Sequence, residues 1–270
     1  MTLAISGKTA VVTGAANGVG LAIARHFVER GANVMFADMD EARLAEELGA
    51  VEDEKGNARY FAGDLREKLT RANLLSATID AFDRIDILVN ASRQMMASEP
   101  MNPKADHVEE LLSQNLMTSL RMTQAFAKRM IEQTEETGDD DERPQGSIIN
   151  LSSIAARRTM PELLAYSVSS AALDQLTRSM AVTLAPHRIR VNAIALGSVM
   201  SASLQGALKE DDEHRQSIVD NTPLGRIAGA SELAEVAQFL ASDGSGFVTG
   251  QVLTVDGGRT LVDTVDAPIH

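Results

Sequence analysis

A chain of 270 residues is long enough for one large domain or two small ones with a substantial core. The formal charge of -13 argues against nucleic acid and against an anionic membrane surface as partners. Zero cysteines exclude disulfides, thiolate metal sites and a cysteine nucleophile.

Apolar strand-like runs alternate with longer helix-like segments. Strands are expected at Thr9 to Thr13, Asn33 to Ala37, Ala58 to Ala62, Ile85 to Asn90, Ser147 to Leu151, Arg190 to Ile194 and Val252 to Val255. The first is followed by a helix, Gly18 to Arg30. Apolar residues between the strands recur at three- and four-residue spacing, as at Leu111, Leu112, Leu116 and Met122. Near-continuous apolar strands separated by helices imply an α/β fold: one domain over residues 1-270, its mostly parallel sheet covered by helices on both faces. Two segments break the rhythm. The acidic stretch Glu132 to Gln145 reads as a solvated loop, and Gly197 to Arg226 is long enough to serve as a lid over a ligand. Met1 to Gly7 has neither a charged leader nor a long apolar core, so no signal peptide is expected and a cytoplasmic location fits. No apolar run approaches the length of a membrane span. The five histidines are scattered without zinc-like spacing, so no metal is expected, and no Gly-x-Ser-x-Gly nucleophile elbow occurs.

Thr13, Gly14, Ala15, Ala16, Asn17, Gly18, Val19 and Gly20 link the first strand to the first helix. Glycines there allow a tight turn and a close backbone approach to a pyrophosphate, and the helix N-terminus offers free N–H groups to it. Asp38 ends the second strand, 18 positions after Gly20. Its carboxylate suits the adenosine ribose hydroxyls and would repel a 2′-phosphate; it also suits a helix N-cap. Ala15, Ala16 and Asn17 are neutral, which favours NAD over NADP.

With these features the chain resembles the short-chain dehydrogenase/reductase family from about Ser6 to Leu261. Thr13 to Gly20 matches its Thr-Gly-x-x-x-Gly-x-Gly motif, Asp64 its adenine-binding acid, Asp86 to Asn90 its fourth strand, and Asn115 its helix asparagine. Ser153 stands 13 residues before Tyr166, the spacing of the family's catalytic pair. Arg190 to Gly197, Val248 to Gln251 and Asp256 to Gly258 resemble its C-terminal segments. The resemblance implies a Rossmann-type doubly wound sheet of seven strands. It also implies a homotetramer or homodimer joined through the helices Ala105 to Ile131 and Ala165 to Ala185. Cofactor contacts are implied at Thr13, Gly14, Asn17, Gly18, Val19, Gly20, Asp38, Asp64, Leu65, Asn90, Ala91, Ser92, Gly197, Val199 and Ser201.

The departures carry as much meaning. The family's Tyr-x-x-x-Lys reads Tyr166 to Ser170, its Asn-Asn-Ala-Gly reads Asn90-Ala91-Ser92-Arg93, and its Pro-Gly reads Leu196-Gly197. In the family the tyrosine exchanges a proton with the substrate oxygen, the serine orients that oxygen, the asparagine positions a relay water, and the lysine favours the phenolate. A phenol ionises near pH 10, and a neighbouring cation shifts that balance toward the anion. Loss of the lysine is therefore expected to slow alcohol oxidation by orders of magnitude unless another cation replaces it. Arg93 stands at the family's glycine position; it either reaches the space left by Ser170 or faces solvent. Arg157 and Arg158 fit the substrate mouth or the surface. Met95, Met96, Met160, Leu163 and Met200 suit either an adaptable apolar pocket or ordinary packing.

Three functional readings follow. The first is an NAD(H)-preferring oxidoreductase acting on a secondary alcohol or ketone, with Tyr166, Ser153 and Asn115 as catalytic groups, Ser170 at the lysine position and Arg93 as its substitute. The second is a cofactor-binding pseudoenzyme with a regulatory or assembly role. The third is a 3-oxoacyl-carrier-protein reductase. The acidic surface weighs against that one, as does Val182, at a helix position where such reductases carry arginine.

Overall fold

The computed structural model describes residues 3–50, 56–137, 144–200 and 212–263. Seven strands, β1 (Thr9–Thr13), β2 (Asn33–Asp38), β3 (Ala58–Ala62), β4 (Ile87–Asn90), β5 (Gly146–Ser153), β6 (Ile189–Leu196) and β9 (Val252–Val255), form one sheet in the order β3-β2-β1-β4-β5-β6-β9. Every pairing is parallel. A second, two-stranded parallel sheet joins β7 (Val199–Met200) to β8 (Ala228–Gly229).

The alternation of side chains explains why the strands read as unbroken apolar runs. Along β1, Ala10 and Val12 enter one core with Phe36, Ile23, Phe27, Leu233 and Leu240. Val11 points the other way, into a core with Met35, Leu74, Leu88, Met122, Phe126 and Ile148. Helices α1 (Gly18–Glu29) and α8 (Ala230–Ala241) cover the first face; α3 (Lys68–Phe82), α5 (Thr118–Thr137) and α6 (Leu164–Leu184) cover the second. Strands buried on both faces are mostly apolar and admit a polar side chain where it finds a partner, as Asn90 on β4 does in Asn150 on β5. In α1 the buried Val19, Ile23, Ala24 and Phe27 recur at helical spacing, so one stripe packs and the rest meets water.

Several boundaries differ from expectation. The fourth strand starts at Ile87, because the Asp86 side chain is spent on the start of the neighbouring β1: its Oδ2 accepts from Thr9 N at 2.8 Å. The fifth and sixth strands each run two residues past their expected C-termini, to Ser153 and Leu196. Helix α5 continues to Thr137, through the start of the expected acidic loop. Gln133 explains the extension: its side chain donates to Ile85 O (2.6 Å) and accepts from Ile85 N (3.1 Å), tying that turn to the strand below. Of the rest of the loop, 138–143 lie outside the described residues, and Gln145 N donates to Arg188 O (2.9 Å) just before β5. Within the expected lid, β7 and the helix α7 (Asp212–Asp220) are described, and 201–211, with Ser201, lie outside the described residues; β8 follows just beyond its expected end at Arg226.

The chain order reverses between β1 and β4, which lie side by side while their connections run to opposite faces. In an open parallel sheet this opens a crevice at the strands' C-terminal ends.

Candidate active site

One end of the crevice is made of backbone. Gly14 has φ +66°, and a Cβ there would meet Ala91 O at 2.7 Å; one at Gly20 would meet Gly14 O at 2.2 Å. Only glycine lets the turn and the first coil of α1 lie this close to β1 and the β4 loop. The Asn17 side chain makes no cap bond to the first turn of α1, so the N–H groups of a 12-residue helix face the crevice without a side-chain acceptor. An anion fits that end. Asp38 leans over the turn: its Oδ2 accepts from Ala16 N (3.1 Å) and its Oδ1 from Met39 N (2.8 Å). Thr13 acts inward, donating to Val89 O (3.3 Å) and accepting from Ala91 N and Ser92 N (3.0 Å each), which pins the β4 loop against the turn. Asp64 is gripped by Arg66, whose Nη2 lies 2.6 Å from Oδ2, and this bond holds the carboxyl below the usual carboxylate range. Leu65 is buried in the core beneath.

The other end is made of side chains. Tyr166 is buried on α6 among Leu111, Ala155 and Ala165, with Met96, Val108 and Leu163 packed against them. Its hydroxyl lies 2.5 Å from Arg93 Nη1, which also donates to Ser152 O at 3.3 Å. Arg93 thus reaches the tyrosine and does not face solvent. Ser153 ends β5, where its Oγ accepts from Ala155 N (3.1 Å) and caps a short turn packed beside the ring. Asn115 sits in a π-helical stretch, Leu112–Met117, between the single turn α4 (Val108–Leu111) and α5. Its amide grips the β4 loop, accepting from Gln94 N (2.8 Å) and donating to Gln94 O (2.9 Å) and Ser169 Oγ (3.2 Å). Asn90 donates to Asn150 Oδ1 (2.9 Å), and its own Oδ1 is buried with no partner among the described residues.

Ser170, one turn after Tyr166 on the same buried face, opens onto a small cavity also lined by Asn90, Ser92, Arg93, Ser119, Leu151 and Leu173. Its free space, about 10 Å³ for a water centre, matches one water molecule. At the far side Gly197 packs so close to Asp256 that a Cβ would lie 2.8 Å from it. Val199 is buried and pairs with Ala228. Arg157 donates to Thr254 Oγ1 on β9 (3.3 Å), and Arg158 binds Thr260 O in the turn that follows, so the two tie the C-terminal strand and its turn to the loop after Ser153. Of the methionines flanking the mouth, Met95 and Met160 are exposed while Met96 packs against the tyrosine's cluster.

Three participants escape the sequence motifs. Gln94 enters through its backbone, which no side-chain pattern reports. Ser169 links Asn115 to Tyr166 O (3.1 Å). Asp174 accepts from Ser152 Oγ at 2.5 Å with Arg157 at 4.0 Å, and burial pushes its carboxyl above the usual range despite both partners. The signal for Asp174 was its place four residues after Ser170, on the apolar face of α6. Among the described residues no cluster of His, Cys, Asp and Glu could hold a metal, and no helix is long and apolar enough to cross a membrane.

A family model described as enoyl-(acyl carrier protein) reductase matches residues 14–260. An uncharacterized oxidoreductase of Mycobacterium tuberculosis is 34% identical, over 97% of this chain and 95% of its own. The L-fucose dehydrogenase of Mus musculus is 31% identical, over 95% and 89%. A 7α-hydroxysteroid dehydrogenase, solved with NADH and 7-oxo glycochenodeoxycholic acid, superposes with a TM-score of 0.86 at 28% identity, over 95% of this chain and 96% of that one.

Proposed function

The chain belongs to the short-chain dehydrogenase/reductase family, and on that premise we propose that it is an NAD(H)-preferring oxidoreductase interconverting a secondary alcohol and a ketone, with Tyr166 as the acid/base. One observation carries the reading: the Tyr166 hydroxyl, bonded to a guanidinium of the β4 loop, and the glycine turn, packed against that same loop at Ala91, both lie at the C-terminal ends of the strands. The nicotinamide, when bound, supplies the hydride acceptor or donor. Gly14 and Asn17 to Gly20 would hold the pyrophosphate through N–H groups. Asp38 would accept from the ribose hydroxyls, and its charge beside the neutral Ala15, Ala16 and Asn17 disfavours a 2′-phosphate. Asp64 and Leu65 would border the adenine. Asn90, Ala91, Ser92, Gly197, Val199 and Ser201 would border the nicotinamide half.

In oxidation the Tyr166 oxygen takes the alcohol's hydroxyl proton while Ser153 orients that oxygen; in reduction it returns the proton to the carbonyl oxygen. Asn115 fixes the loop that carries Arg93, and Ser170 stands where the family carries its lysine. The protein is read as cytoplasmic. It is also read as a homotetramer or homodimer, because Met117, Val168 and Val182 expose apolar surface on the helices expected to meet.

The test is calorimetry with NAD+, NADH, NADP+ and NADPH, together with turnover on a panel of secondary alcohols and ketones that includes a sugar and a steroid. Tighter binding of NAD(H) than NADP(H), with turnover, is expected. Binding without turnover would leave the cofactor-binding pseudoenzyme standing, and the absence of binding would sink both.

A further inference from the structure

The contact between Arg93 and Tyr166 is braced from both sides. Arg93 Nη1 lies 2.5 Å from the phenol oxygen, and the guanidinium carbon lies 5.8 Å from the ring centroid. The backbone of the next residue, Gln94, is gripped twice by Asn115, and Asn115 also donates to Ser169, which donates to Tyr166 O. The β4 loop and α6 are therefore locked in the register that sets cation against hydroxyl. The ring's packed neighbours are apolar. Asp174, two turns along α6, faces Ser152 and Arg157. Beside the contact, Ser170 leaves space for about one water molecule, which a longer side chain would fill.

We propose that Arg93 is a catalytic residue: it supplies from the β4 loop the positive charge that steadies the anionic oxygen of Tyr166, a charge that position 170 does not carry. This rests on the oxidoreductase reading above. In oxidation the alcohol's O–H proton passes to the tyrosine oxygen while the carbinol hydrogen leaves with two electrons for the oxidised nicotinamide, and the C=O bond forms. In reduction the same proton leaves Tyr166, and the guanidinium faces the oxyanion that remains. An arginine stays protonated at every pH the enzyme meets, so its charge is constant through both directions. A fixed donor aimed where negative charge develops contributes about 100-fold or more to turnover.

The chain offers a readout that needs neither cofactor nor substrate. It contains 2 tyrosines and no tryptophan. Tyr60 lies on β3, at the far edge of the sheet. In a Tyr60→Phe background, phenolate absorbance therefore reports Tyr166 alone. We expect its midpoint to rise by about one pH unit or more on adding Arg93→Met, which keeps an unbranched stem and removes the charge. Arg93→Ala should behave alike, and circular dichroism checks that each variant is folded. A midpoint unchanged within about 0.3 unit overturns the proposal.

In the active enzyme, Arg93→Met should lower kcat by about 100-fold. Ser170→Lys alone should also lose activity, because a second cation would crowd a cavity that holds one water molecule. Arg93→Ala with Ser170→Lys should recover at least about tenfold over Arg93→Ala, a coupling that independent sites would not show. A double variant whose loss equals the sum of the two single losses counts against the proposal. If the unmodified protein neither binds NADH nor turns over, the oxidoreductase reading fails. The tyrosine titration still decides whether Arg93 stabilises the phenolate.

Discussion

At the β1–β2 end of the crevice the backbone makes the site, whereas at the β4–β5 end side chains make it. The first end depends on turns that only glycine can adopt and on N–H groups that every residue carries. The second depends on which side chain brings a charge to one oxygen atom. A cation can reach that oxygen from α6 or from the β4 loop, and here it comes from the loop, as Arg93. No comparable exchange is open to Gly20, whose Cβ would lie 2.2 Å from Gly14 O. Backbone sites are thus held by sterics, while side-chain sites can be rewired as long as the charge arrives at the same place.

Gly20→Ala should break the first end most severely. The nearest atoms are backbone, so no side chain can yield, and either α1 or the turn must move. We expect a loss of ~3 kcal/mol in urea denaturation, with NAD(H) binding abolished in calorimetry even where the variant remains folded. Wild-type stability and affinity together would show that the cradle is looser than its contacts indicate.

This contrast also explains what could be read from the sequence. The glycine turn, Asp38 and the alternating strands were legible because each reflects a constraint local in sequence: a strand, a tight turn and a helix start within a dozen residues. The seven strands were expected at nearly their observed places for the same reason. Strand ends were less legible; Asp86 left β4 because its carboxylate pairs with Thr9 N, 77 residues away. The length of α5 escaped because Gln133 is held by Ile85, across 48 residues. At the catalytic end, Tyr166, Ser153 and Asn115 stood out by family spacing, but the sequence left open whether Arg93 faces solvent. Its direction depends on Asn115 gripping Gln94, a contact to backbone that leaves no trace in residue identity.

A smaller effect sharpens the cofactor side of the comparison. Asp38→Ser keeps a short polar group near Ala16 N but removes the charge. Charge-assisted bonds to ribose hydroxyls contribute about 1.5–3 kcal/mol. NAD+ affinity should fall by about 10- to 100-fold, and NADP+ affinity should rise as the repulsion is removed. An unchanged NAD+/NADP+ ratio would mean that Asp38 serves the turn and not the ribose.

The mildest prediction concerns the floor of the side-chain end. Asp174 is buried under Ser152, and burial raises its carboxyl above the ordinary value although the Ser152 bond and the Arg157 charge oppose the shift. A folded-state value above the unfolded one means that the folded protein holds this proton more tightly. Asp174 therefore favours folding most below the ordinary aspartate range, and that contribution is lost as the pH rises through the unfolded and then the folded value. Asp174→Asn keeps an oxygen to accept from Ser152 Oγ and carries no charge to desolvate. It should leave the acid-side unfolding midpoint nearly unchanged and raise the midpoint at neutral pH, so the two denaturation profiles diverge as pH increases. Equal profiles across that range would place the Asp174 charge in a better solvated setting than its burial implies. A lower midpoint at neutral pH would show that the Arg157 attraction outweighs desolvation, making this part of the wall a second position where paired side chains, and not backbone, hold the site together.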